Sequence, residues 1–102
     1  HQEAVASAGM SQRITVRVTV SGRVQGVGFR YHLQDAANRA GIDGWCRNRH
    51  DGTVEAVFAG PRAAVDTVVA WCRQGPPHAY VEDLLLEQEV EAYDTPGFRI
   101  RG

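Results

Sequence analysis

Nine consecutive residues, Gly22-Arg23-Val24-Gln25-Gly26-Val27-Gly28-Phe29-Arg30, bring together glycines and an arginine, two residue types that can hold a phosphate between them. Ahead of them Ile14, Val16, Val18 and Val20 alternate with Thr15, Arg17 and Thr19, the pattern of a half-buried strand. Behind them Phe29, Leu33, Ala36, Ala37 and Ala40 fall on one face of a helix. A glycine-rich loop therefore joins a strand to the first turn of a helix. Glycine takes positive φ without a Cβ penalty, so backbone N–H groups can converge on one point. The helix N-terminus adds unpaired N–H groups and the positive end of its dipole. Such a concavity suits a phosphate or a similar anion. The loop is not a Walker loop, because the chain contains no lysine, and glycines 22, 26 and 28 have the wrong order of spacings for a dinucleotide fingerprint. Taken alone, it leaves a phosphate site and a plain connection both open.

The second segment is Gly44-Trp45-Cys46-Arg47-Asn48-Arg49-His50-Asp51-Gly52-Thr53-Val54-Glu55. It reads as strand, tight turn and strand, with Asp51-Gly52 supplying the turn. Asn48 falls at the end of the incoming strand. Its amide offers a donor and an acceptor but takes up no proton near neutral pH. Capping the turn is the ordinary alternative for such a residue.

Together the two segments resemble the signatures of the acylphosphatase family. The first is similar to Gly-x-Val-Gln-Gly-Val-x-Phe-Arg at every fixed position. The second is similar to Gly-x-Val-x-Asn-x-x-Asp-Gly-x-Val-Glu, with Cys46 standing where valine is usual. A buried cysteine behaves as a small apolar residue, so the exchange leaves the site's chemistry alone. The resemblance runs from about Arg13 to the C-terminus. It implies hydrolysis of acyl phosphates, with Arg30 as the catalytic arginine gripping two phosphate oxygens at once. It implies too that backbone N–H groups of Arg23, Val24, Gln25, Gly26, Val27 and Gly28 cradle the phosphate. Asn48 would be the catalytic asparagine that orients the attacking water. His50 and Asp51 lie close by as candidate bases, but the turn explains Asp51 and a solvent-facing hairpin position explains His50. His32 and His78 read as surface histidines. No spacing of His, Cys, Asp and Glu suggests a metal site, and the chemistry needs neither metal nor cofactor.

The elements expected to position these residues are strand 13–20, helix 29–41, strand 42–48, strand 53–59, helix 62–74, strand 80–90 and a strand end at 98–101. Gly41 suits the end of the first helix, Pro61 the first turn of the second, and Gly75-Pro76-Pro77 its end. The order is that of an α+β ferredoxin-like βαββαβ sandwich, an antiparallel sheet with both helices on one face. Trp45 and Trp71 are expected in the packing. A chain of 102 residues supports one domain, taken as 13–102, after a disordered N-terminal extension or expression remnant over 1–12, with Met10 a plausible native start.

Composition narrows the function further. The net charge of −1 gives no general pull toward nucleic acid, and no apolar run is long enough to span a bilayer. Arg23, Arg30, Arg47 and Arg49 from the motif segments would form a local cationic mouth, whereas Glu82 to Asp94 holds six acidic residues and no basic one. Cys46 and Cys72 read as buried structural thiols, consistent with a reducing cytoplasm. An RNA-binding module of the same plan needs stacking aromatics on its central strand, where Thr53 to Ala59 offers only Phe58. The nearer rival is an acylphosphatase-like domain that binds or delivers an acyl phosphate without turnover. The chain ends directly after the last expected strand, which favours the free-standing enzyme, a monomer acting on a small anionic acyl phosphate.

Overall fold

Alternating aliphatic residues give the first strand one dry face, and the rest of the fold is laid against it. In β1 (Arg13–Arg23) Ile14, Val16, Val18 and Val20 are all buried. Helix α1 (Phe29–Arg39) turns Phe29, Leu33 and Ala37 onto that face at intervals of four. Helix α2 (Arg62–Gln74) adds Val65, Val68, Val69 and Cys72, which bears out Cys72 as a buried thiol. Between and beyond the helices lie β2 (Asp43–Asn48), β3 (Val54–Pro61), β4 (Tyr80–Gln88) and β5 (Phe98–Ile100). The computed structural model describes residues 12–89 and 91–101. Apart from Gln12, the expected N-terminal extension and its Met10 lie outside the described residues, as do Val90 and Gly102.

The sheet has the order β4-β1-β3-β2-β5, with β1 antiparallel to both β3 and β4, and β2 antiparallel to β3. The ferredoxin-like arrangement of two helices on one face is as expected, but the sheet is mixed rather than wholly antiparallel. Strand β5 lies parallel to β2 at the opposite edge from β4. The chain after Gln88 must therefore cross the sheet's open face before running back along β2. Three polar contacts fasten the crossing. Tyr93 N–H donates to Thr15 Oγ1 (3.3 Å), Arg13 Nη2 donates to the Tyr93 carbonyl (3.1 Å), and Gly97 N–H donates to Asp43 Oδ1 (2.8 Å). Arg13 also pairs with Asp43 (2.8 Å), and this bond holds the Asp43 carboxyl below its usual range.

Three smaller expectations change. Strand β1 runs on through Gly22 and Arg23, which pair with Val81 and Tyr80 across a bulge at Ser21/Gly22. Pro61 ends β3 and caps α2 instead of lying inside its first turn. Trp71 packs edge-on against Phe29, at 5.4 Å between centroids, but Trp45 lies half-buried with the Arg101 guanidinium 4.4 Å over its ring.

Strand β3 is buried from Val54 to Gly60 and holds one charge, Glu55. That carboxylate accepts from Arg17 Nη1 (2.8 Å) and Arg47 Nε (2.7 Å), and Arg17 reaches on to Glu89 (3.2 Å). Paired in this way, a 4 % exposed carboxylate is affordable. The hydrogen bond to Glu89, with the charges of Glu89 and Glu55, strengthens the Arg17 guanidinium's hold on its proton.

Gly44 lets β2 lie flush between β3 and β5. Its φ is 145°, and a Cβ added there would overlap the Val57 carbonyl. Gly44→Ala is therefore expected to cost about 2 kcal/mol or more, through strain and a forced backbone shift. Urea unfolding of the two proteins measures it; equal midpoints would contradict the close approach.

Candidate active site

Strand register sets the level at which the two motif segments meet. Val20 on β1 and Asn48 on β2 both stand opposite Val54 on the strand between them. Two interstrand steps of about 4.8 Å place their Cα atoms about 10 Å apart. Residues opposite one another point to the same side of a sheet, so Asn48 shares the helix-covered side with Val20 and Val54. The row behind is Val18, Ala56 and Cys46, all buried. Asn48 thus closes a row of core residues at the end of the sheet where β1 gives way to the glycine loop.

The loop proper is Val24–Gly28, because Arg23 belongs to the strand. Val24 is buried and Val27 packs against the core, so apolar side chains anchor the loop. Gly26 and Gly28, at φ 76° and 77°, lie in the left-handed region where other residues are strained. Gly28 caps α1 with no side-chain hydrogen bond, and the first turn carries no acidic residue. The opening N–H groups of α1 are left without intrahelical partners, and no nearby carboxylate on the helix offsets the dipole. The Gly28 carbonyl accepts from His32 N–H (3.1 Å) and faces His32 Nδ1 (2.8 Å), which fits Nδ1 as the protonated ring nitrogen. His32 is exposed, as expected of a surface histidine, and its ring is tied to the loop's last residue.

Arg30 is the second residue of α1. Its carbonyl receives the Cys46 thiol at 4.0 Å, and its guanidinium carries no ion pair among the described residues. Arg23 has none either. Arg49 stands 4.0 Å from Asp51, whereas Arg47 is committed to Glu55. The expected cationic mouth is accordingly reduced: Arg47 is spent on the other face of the sheet.

The hairpin is closed by Asp51, as the turn reading expected. Its Oδ1 accepts from Thr53 N–H (3.0 Å) and Thr53 Oγ1 (2.6 Å), and these bonds hold its carboxyl below the usual range. His50 is exposed on the turn. Asn48 does not cap it. Its Oδ1 is shut away from solvent and accepts no hydrogen bond from the described residues. A depression of about 370 Å³ opens beside it, lined by Arg47, Asn48, Arg49, His50 and Asp51. Among the described residues no group of three or more His, Cys, Asp and Glu is placed to hold a metal ion.

Two features were missed in the sequence. Gln25 Nε2 donates to the carbonyls of Arg49 (2.8 Å) and Thr53 (2.9 Å), joining the loop to the hairpin through its side chain. Nothing in a single sequence aims a loop amide at a distant turn. The Glu55 cluster did leave a sign: a lone acid inside the apolar run Val54–Gly60 demands partners.

The acylphosphatase family profile matches residues 16–100. An acylphosphatase of Rubrobacter xylanophilus is 50% identical over 98% of this chain and 89% of its own. Two solved structures superpose closely. An acylphosphatase from Coxiella burnetii has a TM-score of 0.83 at 37% identity, over 87% of this chain and 93% of that one. One from Bacillus subtilis has a TM-score of 0.84 at 36% identity, over 87% and 99%.

Burial pushes the Cys46 thiol up to about 12, against the opposing pull of Arg30, and burial pushes Cys72 up as well. Both should resist iodoacetamide in the folded protein at pH 8 and react once it is unfolded in urea, as mass spectrometry would show. A raised folded value means that the stabilising effect is full below the unfolded thiol range and is lost as pH climbs through the folded one. Rapid labelling of Cys46 in the folded state would contradict its packing beneath α1.

Proposed function

The chain belongs to the acylphosphatase family, and we infer that its reaction, hydrolysis of an acyl phosphate to carboxylate and phosphate, runs between the Arg23–Gly28 backbone, Arg30 and Asn48. The observation that carries this reading is the Asn48 Oδ1. A buried acceptor with no donor costs about 1–3 kcal/mol, which an O–H group brought to it would relieve. Asn48 stands at the level of the loop, so a water held by its amide would have a lone pair free to face phosphorus.

The remaining parts follow from the charge to be stabilised. Phosphoryl transfer passes through a loose transition state whose charge rests on three equatorial oxygens. Backbone N–H groups from Arg23, Val24, Gln25, Gly26, Val27 and Gly28, with the open first turn of α1, meet those oxygens. Arg30 has no carboxylate partner among the described residues and grips two of them with its planar fork. The bond from the water oxygen to phosphorus forms as the bond from phosphorus to the acyl oxygen breaks. The carboxylate leaves with the electron pair. Its conjugate acid has a pKa of about 4, so no general acid is needed. Asn48 takes no proton, and both protons of the water end on the released phosphate, which makes a substrate oxygen the acceptor. Neither a metal ion nor a cofactor enters these steps. The same reading makes the protein a monomer, and its two buried, unpaired cysteines support a reducing cytoplasm.

Hydrolysis of benzoyl phosphate in excess EDTA tests the proposal. Turnover should survive the chelator. Arg30→Ala and Asn48→Ala should each lose on the order of 3 kcal/mol in barrier, a hundredfold or more in rate, with circular dichroism unchanged. A near-normal rate for folded Asn48→Ala would end the water-positioning role. Phosphate binding without any turnover would favour the binding-domain alternative.

A further inference from the structure

The loop that would hold phosphate and the asparagine that would hold water belong to strands that never touch. Strand β3 lies between β1 and β2, and the ladder ends where the loop begins. Among the described residues, the only side-chain hydrogen bonds between Val24–Gly28 and Asn48–Thr53 are the two from Gln25. Resting on the reading of the site given above, we propose that the Gln25 side chain is a positioning residue. By this proposal it sets the distance between the phosphate cradle and the water on Asn48, while its backbone N–H belongs to the cradle.

The geometry is particular to an amide of this length. Nε2 carries two hydrogens, and one goes to each carbonyl, at 2.8 Å and 2.9 Å. Those carbonyls are also the ones that close the turn. Thr53 O accepts from Arg49 N–H (2.8 Å), and Arg49 O accepts from Gly52 N–H (3.2 Å). Gln25 therefore fastens both sides of an already closed turn, one residue beyond Asn48. Holding the Arg49 carbonyl fixes the backbone that carries the Asn48 amide. In-line attack is sensitive to this: a displacement of about 1 Å costs on the order of a hundredfold in rate. A carboxylate at position 25 could donate to neither carbonyl, and a side chain one methylene shorter would not span the gap.

The experiment is steady-state hydrolysis of benzoyl phosphate with inorganic phosphate as competitive inhibitor, for Gln25→Met, Asn48→Ala and the double variant. Gln25→Met keeps the length and loses both donors. Its kcat should fall at least about tenfold while the phosphate inhibition constant stays within about twofold, because Arg30 and the cradle are untouched. Gln25→Met should cost little more in the Asn48→Ala background, since Gln25 acts through the water that Asn48 holds. Gln25→Leu, uncharged and likewise without a donor, should give the same pattern and serves if the methionine variant does not fold. The proposal falls if kcat is unchanged, if phosphate affinity collapses together with kcat, or if the two losses multiply in full. Those outcomes alongside a defective Asn48→Ala remove only the role of Gln25. A normal Asn48→Ala removes the water reading, and this inference with it.

Discussion

The register between β1, β3 and β2 is the constraint on which the site depends. Val20, Val54 and Asn48 form one row across three strands, and a slip of one residue in β2 would turn Asn48 to the opposite face. Both faces oppose such a slip. On the helix side, valines, Ala56, Cys46 and Phe58 fill a dry core. On the open side, Glu55 is held between Arg17 and Arg47, so the three strands share one buried charge. Removing one partner from a buried ion pair costs about 3–5 kcal/mol, far more than the pair itself adds to stability. Its value here lies in specifying the alignment. The arginine beside Asn48 in sequence thus acts on the far face, where it holds the asparagine's strand in place.

The register also explains why Cys46 is tolerated where the related signature carries valine. The position faces the core one row behind Asn48, and the thiol fills it at nearly the same volume. Burial keeps it protonated, and its weak donor faces the Arg30 carbonyl. On the proposed reaction this leaves no thiolate beside the loop to compete with a substrate's negative charge. The position therefore serves as packing between the two residues assigned to catalysis.

Much of this was legible in the residues themselves. Period-two alternation marked β1, helical stripes marked α1 and α2, and Asp51-Gly52 marked the hairpin, because each follows from local burial or local φ. The features that were not legible depend on distant partners. The parallel pairing of β5 arises because the chain crosses the open face after Gln88, a path fixed by Thr15, Arg13 and Asp43. Arg47 looked like part of a cationic mouth, since sequence shows charge but not which face it lies on. Counting residues from Asn48 to Arg47 along β2 gives that face by alternation, and Glu55 opposite makes the pairing specific. Gln25 had no local sign at all.

Three groups at the site are left without a protein partner among the described residues. The Asn48 oxygen is buried without a donor, the first turn of α1 has no side-chain cap, and Arg30 has no carboxylate. Each would be improved by an ordinary stabilising neighbour, and on the proposed reaction each such neighbour would occupy the place of water or phosphate oxygen. An acid in the first turn of α1 would repel the anion that the dipole attracts, and an acid beside Arg30 would take up its fork. The local cost is borne by surroundings that allow little relaxation: Val24 and Val27 packed under the loop, Cys46 and Val54 behind the asparagine, and Gln25 between the two segments. Preorganisation in this small domain consists of donors and an acceptor held apart from one another, each prevented by packing from collapsing onto a protein partner.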